Sequence, residues 1–122
     1  MPRLDHVVLY ADDVGRSRDW YASVLGLDVE FDRDDPPVVG LKDDAELTLI
    51  LVKGKAPSDC SLFFQVDDVE TAHRELSSRG VGFLYGPQVN DWGYGAALLD
   101  PDSRLIGLWD ETSMREHTSQ ES

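Results

Sequence analysis

Three histidines, one cysteine and many carboxylates are the groups on which chemistry could draw in this 122-residue chain. A catalytic or structural metal centre needs three or four N, O or S donors around one ion. The histidines are widely separated. His6 sits in the opening apolar run, His73 lies beside Arg74 and Glu75 in a helical pattern and reads as a helix-surface or boundary residue, and His117 falls in a polar tail. Cys60 lies in the stretch KGKAPSDC and has no basic partner near it in sequence, so nothing there activates a thiolate. No Gly-x-Ser-x-Gly elbow, phosphate-binding loop, dinucleotide fingerprint or paired-cysteine zinc spacing occurs. His6 keeps two readings open: a half-buried core histidine hydrogen-bonded to a neighbour, or a polar tip inside a binding site.

Eleven Lys and Arg face 24 Asp and Glu, a formal charge of −13. Such a field repels nucleic-acid phosphates and anionic lipid, which excludes those partners. It either favours a cationic ligand or serves solubility alone. The carboxylates cluster at Asp12 and Asp13, Asp32 to Asp35, Asp43 to Glu46, and Asp67 and Asp68, mostly where turns and helix starts are expected and carboxylates cap. The length suits one domain with its own core. A single cysteine excludes an intramolecular disulfide, the opening MPRLDH has no signal-peptide character, and apolar runs such as Leu49–Val52 are too short to span a bilayer. A soluble cytoplasmic protein is expected.

The elements that must position these groups come as a repeat. Residues 6–27, HVVLYADDVGRSRDWYASVLGL, and 62–81, LFFQVDDVETAHRELSSRGV, each run from an apolar strand through Asp-Asp-Val into a helical pattern that stops near a glycine. Asp13 and Asp68 are the expected N-caps, and Gly26 and Gly80 the expected stops. Trp20 and Tyr21 then fall in the first helix as core or interface residues. Residues 38–52 read as two strands joined at Lys42-Asp43-Asp44, and 94–109 as two strands joined at Asp100-Pro101-Asp102-Ser103. Short strands near 28–32 and 82–85 complete each half as strand, helix, strand, strand, strand. The linker is expected at 53–60, and 112–122 as a polar, flexible tail.

Three stretches, LDHVVLYADDVGRSRDWYASVLGL, VDDVETAHRELSSRG and DWGYGAALLDPDSRLIGLWD, stand in an order and spacing that resembles the glyoxalase/bleomycin-resistance/dioxygenase (vicinal oxygen chelate) superfamily over about residues 3–111. Ser103 stands where that family usually has glycine. The resemblance implies an α+β fold of two βαβββ modules, about 3–52 and 61–111, forming a curled mixed sheet around a central cleft. It also implies that metal ligands, where the family uses them, come from positions matching His6, Leu49, Ser61 and Gly107. Only His6 is a good donor, so a family-type metal centre is not expected, and no cofactor is.

If His6 faces the cleft, strand alternation puts Val8 and Tyr10 beside it, Leu47 and Leu51 beside Leu49, Phe63 and Gln65 beside Ser61, and Leu105 and Trp109 beside Gly107. The resemblance adds Trp92 and Tyr94 from a loop bordering the cleft. The candidate ligand-binding set is therefore His6, Tyr10, Leu49, Ser61, Phe63, Gln65, Trp92, Tyr94 and Trp109, with no catalytic residue identified. A mainly apolar, aromatic lining suits an organic molecule, or else merely fills the interior or a dimer contact. The expected function is metal-independent binding of a small aromatic or cationic organic ligand such as an antibiotic, the alternative being a diverged glyoxalase- or dioxygenase-like enzyme. The resemblance and the apolar surplus both imply a homodimer.

Overall fold

The computed structural model describes residues 4–45, 47–55 and 60–118. The chain divides into two compact units, one built from residues up to 58 together with 100–102, the other from 59–99 and 103 onward. The first holds β1 (His6–Ala11), α1 (Val14–Val24), β2 (Asp28–Asp34), β3 (Pro37–Lys42) and β4 (Thr48–Lys53). The second repeats the pattern with β5 (Ser61–Gln65), α2 (Val69–Ser78), β6 (Tyr85–Asn90), β7 (Gly93–Leu99) and β8 (Leu105–Trp109), and adds α3 (Glu111–Thr118). Each unit has a four-stranded mixed sheet, ordered β1-β4-β3-β2 and β5-β8-β7-β6. In both, the outer first strand runs parallel to its neighbour and the other pairs are antiparallel. The fold is α+β, and the repeat legible in sequence is a repeat of topology. No helix among the described residues is long and apolar enough to cross a membrane.

The helices start and stop on the expected chemistry. Asp13 accepts the N–H of Arg16, and Asp68 accepts that of Glu70 and the hydroxyl of Thr71. Gly26 and Gly80 follow the helices at φ of +70° and +88°, which an L side chain rarely adopts. Tyr21 is fully buried and donates to Asp100 at 2.5 Å, so it is a core residue of the first unit.

Three expectations need correction. The second strand of the second half is β6 at Tyr85–Asn90, later than 82–85. Pro87 obscures it in sequence, and the pairing with β7 is irregular between Tyr85 and Gln88. A proline at an irregularity of an edge strand breaks no ladder that the sheet depends on. Residues 112–118 of the expected tail are helical, as part of α3, and 119–122 lie outside the described residues. Finally, Leu47, Leu49 and Leu51 do not share the face of His6. Parallel register pairs His6 with Thr48, Val8 with Ile50 and Tyr10 with Val52, while Leu49 and Leu51 pair with Val7 and Leu9. Leu49 is 5% exposed and Leu51 fully buried, on the core side of the sheet. The stretch LTLILV is apolar at both parities, so alternation carries little phase information. The loop supplies it: the Asp43 carboxylate accepts the N–H groups of Ala45 and Leu47, and β4 begins only at Thr48.

Candidate functional site

A candidate site lies on one face of the second sheet. Register sets Ser61 opposite Leu105, Phe63 opposite Gly107 and Gln65 opposite Trp109, so these six share a face, as alternation predicts. The other parity of β8 and β7, including Ile106, Leu108, Ala96 and Leu98, is buried. Gly107 exists for a steric reason, since a Cβ there would overlap the Phe63 ring. Gly95 lies beneath Trp92 in the same way, and a Cβ on it would also strike the carbonyl of Leu108. Two glycines on adjacent strands therefore let two aromatic rings settle onto the sheet.

Trp92 occupies the tight turn between β6 and β7 rather than a longer loop. Its backbone N–H is held by Asn90 Oδ1 at 3.0 Å, and its indole Nε1 donates to Tyr85 Oη at 2.9 Å. Phe63 meets Trp92 edge to face, with centroids 5.0 Å apart and planes at 66°. With Trp109 and Met114 they line an open cavity of about 420 Å³. Among the described residues no charged side chain lines it. Tyr85 and Met114 were not legible as site residues. Tyr85 lies in the strand hidden by Pro87, and Met114 lies in the segment read as tail.

Tyr94 does not join this cup. Its parity on β7 is that of Ala96 and Leu98, on the buried side, and it is 8% exposed. Its hydroxyl donates to Glu70 Oε1 at 2.7 Å. That bond, with burial and the negative charge of Glu70, pushes the phenol up to about 12. His117 is also not in an irregular tail: its ring stacks on Tyr94, centroids 3.7 Å apart and tilted by 7°. Cys60 is a free, partly exposed thiol.

The first unit presents a different face. His6 is half-exposed, and its Nδ1 lies 3.2 Å from the carboxylate of the neighbouring Asp5. Tyr10 is 50% exposed and its ring lies over Gly54. Leu49, as described above, is on the opposite side and unavailable. His73 meets Phe83 edge on at 4.7 Å on α2 and serves packing there.

The residues present do not fit a family-type metal centre. Among the described residues no three His, Cys, Asp or Glu side chains gather as a donor set. Of the implied positions in the second unit, Ser61 offers only a hydroxyl, and Gly107 has no room for a ligating side chain while Phe63 covers it. What the cup can do is hold an apolar, planar molecule by ring contacts, with Ser61 and Gln65 as exposed polar points on the same face.

Comparison with known proteins agrees on the fold. The chain is 22% identical over 111 residues to the uncharacterized protein YetH of Bacillus subtilis (strain 168), a match covering 84% of this chain and 92% of that one. It is similar in structure to TnmS3, an antibiotic binding protein from Streptomyces sp. CB03234, with a TM-score of 0.75 and 25% identity over 90% of this chain and 96% of that one. A superfamily member from Sphaerobacter thermophilus DSM 20745 superposes with a TM-score of 0.76 at 21% identity, covering 91% of this chain and 98% of that one, a likeness of fold alone. Residues 3–108 match the family model of the Glyoxalase/Bleomycin resistance protein/Dioxygenase superfamily, and the chain belongs to that superfamily.

Proposed function

We propose that the protein binds a small organic molecule without a metal ion, and that its ligand is a planar aromatic, neutral or cationic compound such as an antibiotic. The observation that carries this reading is the cup of Phe63, Trp92, Trp109 and Met114, whose volume of about 420 Å³ falls within the range of small-molecule pockets. Its rings offer π faces and edges, which attract aromatic and cationic groups. The formal charge of −13 disfavours anionic ligands. Sequestration needs affinity and no reaction, so a strand face with poor metal donors costs it nothing. The likeness to TnmS3, itself an antibiotic binding protein, supports the same class. A reducing, cytoplasmic location and a homodimeric state belong to this proposal.

The test is tryptophan fluorescence against a panel of planar aromatic compounds, including aromatic antibiotics, with and without chelator. Saturable quenching that ignores chelator, and weakens about tenfold or more in Trp92→Ala, is the expected outcome. Loss of binding on chelation, with metal found at stoichiometry by mass spectrometry, would return the protein to the metal-dependent enzymes of its superfamily.

A further inference from the structure

Two of the four cup residues, Trp109 at the end of the last strand and Met114 beyond it, lie outside the family-matched residues. The match ends at 108, whereas Met114 belongs to α3 at Glu111–Thr118. An eight-residue helix is marginal by itself in water, so tertiary contacts must hold it. The buried Asp110 carboxylate accepts the N–H of Ser113 at 2.6 Å and its hydroxyl at 3.0 Å, and also the N–H of Val69, the first residue of α2, at 2.7 Å. Met114 Sδ accepts the N–H of Tyr94 at 3.2 Å, and His117 stacks on the Tyr94 ring. Glu111, Thr112, Arg115, Glu116 and His117 are exposed, while Ser113 and Met114 are partly buried. The helix therefore lies on the sheet by one edge, and that edge contains a residue of the cup.

We infer that α3 is a strap that sets the specificity of the site, and that its docking and ligand binding are one coupled equilibrium. The inference rests on reading the cup as a binding site. A ligand in the cup touches Met114 only when α3 is docked, so it favours the docked helix by the free energy of that contact. When α3 leaves, the cup keeps Phe63, Trp92 and Trp109 but loses a wall. An unbranched, polarizable thioether adapts to ring edges, so the strap selects flat aromatic ligands over branched ones.

The experiment uses the full chain with proflavine, a planar cationic acridine, at high salt so that attraction to the acidic surface is screened. Hydrogen exchange followed by mass spectrometry should show amides of 111–118 slowed about fivefold or more by saturating proflavine, with α1 amides little changed. Met114→Ala should weaken proflavine binding about tenfold, and Met114→Leu, which keeps the volume, should restore most of it. Trp92-dependent binding with unchanged exchange at 111–118, or with equal slowing of α1 and α3, overturns the strap and leaves the cup standing. Absence of saturable binding to the wild-type chain, by proflavine and by the wider aromatic panel, removes the cup reading and the strap with it. Should Met114→Ala fail to fold, the exchange measurement on the wild-type chain decides alone.

Discussion

At the scale of single residues, Asp110 carries more of the second unit than its place after the last strand suggests. It is 2% exposed, and burial by itself would push its carboxyl up. The N–H groups of Val69 and Ser113 and the Ser113 hydroxyl outweigh burial and hold it below the usual carboxylate range. One side chain thereby satisfies donors at the start of two helices, which would otherwise be orphaned. Because the folded value is depressed, the stabilisation is fully present above the ordinary carboxylate range. It is lost as pH falls through the folded value. Asp110→Asn should cost about 2–3 kcal/mol near neutrality, since an amide keeps one acceptor oxygen and turns a donor toward the other N–H. Urea midpoints across acid pH should fall less steeply in the variant than in the parent. Parallel curves for the two would mean that Asp110 does not have this role. The sequence reading identified the other caps, Asp13 and Asp68, because each precedes a helical pattern. It missed Asp110 because one of its partners, Val69, is 41 residues away.

At the scale of elements, what was legible is what short-range chemistry dictates. Caps, the glycine stops and the Asp100–Ser103 turn could all be read locally. At that turn the residue in glycine's usual place, Ser103, takes φ of +64°. The parity of β5 and β8 was also correct, because Gly107 and the polar Ser61 and Gln65 mark one face against Leu62, Phe64, Ile106 and Leu108. The parity of β4 failed for want of such contrast, and β6 and α3 failed because Pro87 and the polar composition of 111–118 argue against regular structure that long-range packing then imposes. The candidate site was accordingly half legible: Phe63, Trp92 and Trp109 were read, Tyr85 and Met114 were not, and Tyr94 was put on the wrong side. The corrected register makes a sharp comparison of neighbours. Leu49→Glu would place a carboxylate in the core of the first unit, and should cost at least about 3 kcal/mol or prevent folding. Ile50→Glu points to the partly exposed face and should cost about 1 kcal/mol or less. Thermal melts of the two variants distinguish the registers, and the reverse order of stability would restore the original parity.

At the scale of the whole molecule, two features pull against each other. The formal charge of −13 makes copies of the chain repel one another. Yet large apolar side chains remain on the strand faces away from the buried cores: Val8 and Tyr10 at 50% exposure, Phe63 at 48% and Leu99 at 43%. Apolar exposure grouped on strand faces is a mark of association surfaces, and the proposed homodimer would cover part of it. The balance between the two terms gives the expected salt dependence. Apolar contact is little affected by moderate salt, whereas repulsion between acidic protomers is screened. Dimerisation should therefore tighten as salt rises, the opposite of an interface built on ion pairs. Sedimentation equilibrium across a salt series should show mass moving from protomer toward dimer. Val8→Asp, which adds charge to an exposed apolar position, should move the equilibrium back toward protomer if the first sheet's face takes part. A particle of 13.6 kDa at every salt concentration would show that these faces stay uncovered and that the charge serves to keep the chain monomeric.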